Sequence, residues 1–586
     1  MTRFLPSDTR PLLDESPHSY SSITHRDSDD VVSLASDSAC ELVPAPALNK
    51  FSRADTVWIL AGLWSAVFLG ALDGTVVATL LSPIGSHFNK SNQSSYIGTA
   101  YLLSVCCFTP LYGRLSDILG RKGAMLLALS LFGSGTIFCG MAPSMEALIA
   151  ARAVAGMGGG GSHLRSVSSI VVTDLIPLQV FPKQRGLYQG MANILFGLGA
   201  GIGGPLGGWI NDAFGWEAAF YFQTPLLLFS FILVSVKVNI QLPFEVQNQT
   251  LYEKFRRIDG MGSLTLVGTV GCLLLGFSLK TTEEMPWSHP IIYGLFIASA
   301  IFGVLFIIVE TYWAPYPVMP LHLITQRTPL AVSIANLFGS MAAFSMVIYL
   351  SSYRNTTAQY FSAVRLYSAT ESGLHLLPHS LAIPTGSLFA GWVMRRTGKL
   401  YTLTLASSAL TVLASVLVIF WNDSSSTFHL WLDIVPHGFG MASLITSTLI
   451  AMIAGVFKED MAVATGSESC SFILPAIADL LPTVTYLFRT TGQVLGVSLS
   501  GAILQAILLH QLRVRIQDPG SAEESIQSGP SHSTAIIPTL EPRFIDAAVR
   551  SYADALRVVF ICQAAWNFIA FLACLPIQEN HLPCVL

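Results

Sequence analysis

GRLSDILGRK, residues Gly113 to Lys122, stands between two apolar runs at about 94–112 and 124–142. Its glycines allow a tight turn between helices. Asp117 can cap a helix start or pair with Arg114 or Arg121, latching the two runs together at a membrane surface. A basic loop between two spans would also satisfy the positive-inside rule without any latch. Outward from this loop the chain stays apolar: of 586 residues, 52% are hydrophobic and 11% charged. Its mean hydropathy is +0.58. A soluble protein carries about 25% charged residues. The composition predicts an all-α polytopic membrane protein and excludes a soluble multidomain enzyme, a secreted disulfide scaffold and a nucleic-acid binder. The net charge of −4 shows no polybasic bias. Nine cysteines form no C-x-x-C pair, and Cys106, Cys107, Cys139 and Cys272 lie in apolar runs as small buried residues.

Runs long enough to span a bilayer fall at about 57–83, 94–112, 124–142, 146–173, 188–210, 219–240, 259–279 and 290–309. Six more follow at about 329–350, 373–394, 401–421, 431–456, 481–509 and 556–576, fourteen in all. Alternate loops carry Arg114, Arg121 and Lys122; Lys183 and Arg185; Lys254, Arg256 and Arg257; and Arg395, Arg396 and Lys399. The positive-inside rule places these loops, and both termini, in the cytosol. The glycosylation sequons at Asn89, Asn92, Asn355 and Asn422 then face the opposite side, as does the polar stretch 511–550, while the sequon at Asn248 is cytosolic.

Residues 1–54 are rich in Ser, Asp and Pro, hold no apolar run long enough for a signal peptide, and are expected to be a disordered cytosolic tail. Asp8, Leu12 and Leu13 form an acidic dileucine sequence, similar to signals that route cargo to vacuoles; such a short match also arises by chance.

The pattern G-x-L-x-D-x-x-G-R-K, with Gly113, Arg114, Asp117, Gly120, Arg121 and Lys122, closely resembles the signature loop of the major facilitator superfamily. LDGTVVATLLSP (Leu72 to Pro83) is similar to a first-span segment of the fourteen-helix drug:proton antiporters. Arg152 ahead of AGMGGGG matches the family's membrane arginine. GLGAGIGGPLGGWI, with Gly199, Gly203, Gly204, Pro205, Gly207 and Gly208, resembles the antiporter signature. Physically it is a row of small residues that lets helices approach and bend. ARAVAGMGGGG, RGLYQGMANILFGLGAGIGGPLGGWIND, TTGQVLGVSLSGAILQ, EDMAVATG and SGLHLLP resemble fungal vacuolar basic amino-acid permeases, over roughly 55–578. The chain departs from that pattern at Ser162–Ser166, where His163 and Arg165 replace small or apolar residues, at Val180–Pro182, at Ser467–Thr485 and at SSYRNTTAQY.

The resemblance implies two six-helix bundles, 55–240 and 321–578, joined by a 241–320 linker with two additional helices, and a cytosolic C-terminus at 579–586. The halves are expected to face each other across a central cavity.

Charges within a span cost about 2.5–3.5 kcal/mol at the centre and are usually kept for a role. Asp73 can hold a cation or a proton, not easily both, which is the minimal chemistry of proton/cation antiport. Arg152 is the natural opposite charge. A structural ion pair between helices is the alternative. His375 and His379 share a helical face, with His437 two spans further on, and can relay protons or hold a metal, although SGLHLLP itself is family-like. No metal site is expected. AGMGGGG lacks the GK[ST] ending of a P-loop, so no nucleotide cofactor is expected; the resemblance to drug:proton antiporters implies a proton gradient as the energy source. No nucleophile–base pattern stands on a soluble domain, so no enzyme is expected.

The leading expectation is a proton-coupled antiporter, monomeric in the lipid bilayer, moving basic amino acids (Lys, Arg, His) from cytosol into the vacuole. The alternatives are a plasma-membrane multidrug or toxin efflux pump and a non-transporting nutrient sensor.

Overall fold

The computed structural model describes residues 52–90, 93–159, 171, 182–238, 259–282, 285–314, 319, 321–350, 377–421, 425–464, 470–515 and 542–579. The dileucine at Asp8, Leu12 and Leu13, the sequons at Asn92, Asn248, Asn355 and Asn422, and His163, Arg165 and His375 lie outside these residues.

The described residues are almost entirely helical. We number the main helices α1 Arg53–His87, α2 Ser94–Ile118, α3 Gly120–Gly140, α4 Met145–Gly158, α5 Pro182–Phe214, α6 Thr224–Lys237 and α7 Gly260–Thr282. Then come α8 Pro290–Ile308, α9 Arg327–Leu350, α10 Leu377–Thr397, α11 Tyr401–Ile419, α12 Val435–Ala464, α13 Cys470–Arg515 and α14 Pro542–Cys574. Short helices Trp216–Tyr221 and Thr427–Leu432 lead into α6 and α12. Each of the fourteen apolar runs overlaps one of these helices, the fourth only as far as Gly158, since most of 160–173 lies outside the described residues. Ten helices of the described residues are long and apolar enough to cross a membrane.

The helices overrun the apolar runs at several ends. α13 begins at Cys470, so much of the Ser467–Thr485 insertion extends a helix. α14 begins at Pro542, and its first turns occupy part of the stretch expected to be a polar loop. Hydropathy marks only the part of a helix that lipid requires; the backbone continues wherever i to i−4 hydrogen bonds remain available.

Pairing follows one scheme twice. In the first half α1 packs on α5 and α6, α2 on α4, and α3 on α4 and α6. In the second half α9 packs on α13 and α14, α10 on α12, and α11 on α12 and α14. The halves meet along α5·α10 and α2·α13. α7 lies on α2 and α13, with Leu266, Val270 and Leu274 buried against Cys106, Leu487 and Val494. α8 packs chiefly on α7 and turns Ile297, Ile301, Val304 and Ile308 outward, the expected surface for lipid contact.

Without a solvent-driven hydrophobic effect between helices in lipid, close packing and hydrogen bonds must hold them. Glycines supply the closeness. A Cβ on Gly199 would stand 2.5 Å from the Phe68 carbonyl, on Gly203 2.0 Å from Thr75 Oγ1 and on Gly207 2.6 Å from Thr79 Oγ1. These three form one stripe of α5 pressed on α1. In the second half, Gly492 and Gly496 of α13 would place a Cβ 2.3 Å from the Leu337 carbonyl and 2.2 Å from the Met341 carbonyl of α9.

Candidate functional site

α4 starts where Ser144 Oγ accepts the Ala147 N–H at 3.2 Å, and it ends at Gly159 in the left-handed region. Between these ends, Gly156 and Gly158 allow it to press on α2 at Tyr101 and on α3 at Phe132. That docking sets Arg152 over the Tyr101 ring, 4.2 Å from its centroid. Arg152 Nη1 donates to both oxygens of Asp73 on α1, at 3.2 and 3.0 Å. Both residues are fully sequestered, Asp73 at 0% and Arg152 at 1% exposure. On either side of Asp73 in α1, Leu69, Leu72, Val76 and Leu80 belong to one buried hydrophobic cluster with Leu148 of α4 and Phe132 of α3. The two residues that sequence analysis singled out as intramembrane charges are thus ion-paired across α1 and α4. Arg152 Nε is buried with no hydrogen-bond acceptor among the described residues.

The glycine row bears on the same place. Gly203 faces the Leu72 carbonyl, one residue before Asp73, and Thr75, two residues after it. The row divides: Gly199, Gly203 and Gly207 are in tight contact with α1, while Gly204 would meet only Thr79 Cγ2 at 3.8 Å and Pro205 is exposed within α5. Gly208 is half-buried.

The GRLSDILGRK loop is a helix-to-helix turn. Gly120 takes φ +80°, a conformation open chiefly to glycine, between the end of α2 and the start of α3. Arg121 is buried and donates to Ser116 Oγ at 3.1 Å. Lys122 is half-buried. Gly113, Arg114 and Asp117 lie on α2, but their side chains fall outside the described ones, and with them the expected latch. The second half repeats the turn: Gly398, φ +66°, stands between α10 and α11 after Arg395 and Arg396. The one described sequon asparagine, Asn89, is exposed in the turn after α1.

The sequence reading missed another buried cation, in the second half. Arg489 of α13, 3% exposed, donates from Nε to Asn336 Oδ1 of α9 at 2.8 Å and from Nη2 to the Ile445 carbonyl of α12 at 2.9 Å. Asn336 in turn donates to Thr448 Oγ1 at 3.2 Å. Between the halves, Asn193 of α5 donates to Ser387 Oγ of α10 at 2.8 Å, and Ser387 shares a hydrogen bond with Thr446 of α12 at 3.2 Å. An intramembrane charge can be found by scanning runs for Arg; its neutral partners carry no such signal.

Chemically, the first-half pair is a carboxylate whose negative charge can be met by a guanidinium, another cation or a proton. The second half supplies a positive centre and several hydrogen-bonding groups.

A family model described as Major Facilitator Superfamily matches residues 63–478. The multidrug resistance protein fnx1 of Schizosaccharomyces pombe is 34% identical over 557 residues, covering 94% of this chain and 98% of that protein. Vacuolar basic amino acid transporter 1 of Saccharomyces cerevisiae is 32% identical over 485 residues, 78% of each chain. Among solved structures, the human organic anion transporter MFSD10 (TETRAN) aligns with a TM-score of 0.53 at 15% identity, over 89% of this chain and 99% of that one. That likeness concerns the fold alone.

Proposed function

The chain belongs to the major facilitator superfamily, and on that premise we propose that it is a proton-driven antiporter that moves lysine, arginine and histidine from the cytosol into the vacuole. It is an integral membrane protein of a transporter family, acting on a small-molecule substrate. The observation that carries the finer reading is the buried Asp73–Arg152 pair. Removing one partner from such a pair leaves an uncompensated charge in low dielectric. Protonation of Asp73 from the lumen would free Arg152, and loss of that proton to the cytosol would restore the pair or admit a substrate cation. Energy comes from the proton gradient, with no cofactor. Relatives named for vacuolar membranes and amino acids support the substrate class and location. The acidic dileucine at Asp8, Leu12 and Leu13 supports the same location. In this reading fourteen helices cross the membrane, 55–240 and 321–578 are the two bundles, both termini are cytosolic and the protein works as a monomer.

A second reading, export of drugs or toxins at the plasma membrane, draws support from the fnx1 relative and from an efflux pump of Dothistroma septosporum.

The deciding measurement is uptake of labelled lysine, arginine and histidine by vacuoles isolated with and without the gene, then with Asp73→Asn. We expect gene-dependent, pH-driven uptake that the variant abolishes per molecule of protein. Gene-independent uptake refutes the substrate reading; proton-dependent flux surviving in the variant reduces Asp73 to a structural pairing.

A further inference from the structure

Where the short helix Thr427–Leu432 leads into α12, at the end opposite Arg395 and Arg396, stand titratable residues four positions apart: His429 on the short helix, Asp433 at its C-cap and His437 on α12. Their exposure falls along the series. The His429 side chain is 62% exposed and that of Asp433 15%, and His437 is 0% exposed. His429 and Asp433, i and i+4 along the lead-in helix and its C-cap, are neighbours, and the chain turns at 433–434 before α12 carries His437. The helical turn between the first two is closed by the Asp433 N–H donating to the His429 carbonyl at 3.0 Å. His429 Nδ1 lies 3.4 Å from Asp433 Oδ1, and Trp421 Nε1 donates to Asp433 Oδ2 at 3.0 Å, which fixes the carboxylate. At the inner end His437 meets His379 of α10. Their rings stack at 5.7 Å with 21° between planes, and His437 Nδ1 lies 3.4 Å from His379 Nε2. Gly438 makes room for that contact, since a Cβ there would come within 2.6 Å of the His379 carbonyl. His437 Nε2 is buried and has no hydrogen-bond partner among the described residues.

We propose that His429, Asp433, His437 and His379 form a proton path that leads from the membrane surface into the second half and ends at a two-imidazole site holding one proton. The proposal rests on the antiport reading and adds to Asp73 a second titratable station, on the lumenal side in the proposed orientation.

The proton balance follows from imidazole chemistry. When His437 Nδ1–H donates to His379 Nε2, His437 Nε2 keeps a lone pair. A proton from water enters at His429, passes to the Asp433 carboxylate, and reaches that lone pair. The charge is then carried by an imidazolium hydrogen-bonded to a neutral imidazole, and the Nδ1 proton can shift to His379. A second proton would set two N–H donors against each other, so the pair holds one. Buried ionisable residues in a membrane mark proton routes when they form such chains.

Among the described residues, several contacts of the neighbouring elements with α10 and α12 run through other positions. Arg489 of α13 reaches α12 at the Ile445 carbonyl, eight residues further along than His437. α5 meets α10 through Gly190, Asn193 and Gly197. α11 meets α12 through the Thr404–Ser447 and Ser407–Ser443 hydroxyl pairs, and α9 through Asn336 and Thr448.

The test uses the full-length protein in liposomes holding a trapped pH-sensitive dye, with lysine as the probe. For one-to-one exchange, one pH unit drives about tenfold accumulation. Wild type should reach it with matched proton movement, while H437Q should fall to no net accumulation and no lysine-triggered proton flux, yet keep lysine–lysine exchange. H429Q, altered only at the exposed entrance, should slow proton movement and shift its pH profile without changing the final accumulation. If H437Q does not fold, H379Q and D433N are measured in the same way. Wild-type lysine transport without protons overturns the antiport reading and the path together. Coupled wild-type transport with an equally coupled H437Q, or H379Q and D433N in its place, overturns the path alone.

Discussion

In the first half Gly203 brings α5 onto the Leu72 carbonyl beside Asp73; in the second, Gly492 brings α13 onto the Leu337 carbonyl beside Asn336. The packing device is shared, and a buried polar residue adjoins the contact each time. The electrostatics differ. Arg152 binds a carboxylate within its own half, whereas Arg489 donates to an amide oxygen and a backbone carbonyl. Equivalent helix contacts therefore do not dictate equivalent charge. Small residues set how close the helices come, and the side chains beside them decide what the gap can hold.

Breaking the charge contrast should give the largest effect. Arg152→Leu strands a buried carboxylate and is expected to cost about 3–5 kcal/mol of stability. Arg489→Leu, which removes the hydrogen bonds to the Asn336 amide and the Ile445 carbonyl, should cost about 1–3 kcal/mol. Thermal unfolding in detergent, with membrane abundance as a second readout, ranks them. Adding Asp73→Asn to Arg152→Leu should recover much of the loss. Equal losses for the two arginine variants would mean that the carboxylate makes no difference.

Next come the shared contacts. Gly203→Ala and Gly496→Ala should each cost about 1–3 kcal/mol by overpacking. Gly201→Ala, on the same α5 but with nothing within 4 Å, should stay within about 0.5 kcal/mol. A large loss at Gly201, or none at Gly203, would show that helix spacing is not set where the stripe places it.

The smallest effect is expected at the two turns. Alanine at Gly398, where φ is +66° and no atom lies within 4 Å of the added methyl, tests backbone strain alone and should cost about 1 kcal/mol. Gly120→Ala, at φ +80°, should match it if the turns are repeats of one another. The same unfolding assay would register a mismatch as evidence that the buried Arg121 gives the first turn a further constraint.

The helices were legible because a span announces itself by length and lack of charge. Asp73 and Arg152 were legible for the converse reason, as charges where none is cheap. Their contact was not, since the two residues are separated by 79 positions and only the docking of α4 brings them together. Arg489 stood in plain view in YLFRTTGQ, but Asn336 and Ile445, which define its surroundings, look like any residues of an apolar run. His379 and His437 were noticed as titratable residues on separate spans. The stack of one on the other depends on α10 meeting α12, and the approach through Asp433 depends on a lead-in helix that hydropathy does not mark off.

The carboxylate of Glu579, just past α14, accepts the backbone N–H groups of Leu400 at 2.8 Å and Tyr401 at 3.1 Å. It thereby closes the N-terminal turn of α11, whose first amides have no partner within their own helix. During biosynthesis that turn emerges from the ribosome well before its acceptor, which lies 179 positions downstream of Leu400. The cap can form only once translation has passed Glu579. A premature stop, a clipped C-terminus or a fusion that displaces Glu579 leaves the fault far from the lesion, at the start of α11, where a cell's quality control would meet unpaired amides beside the bilayer.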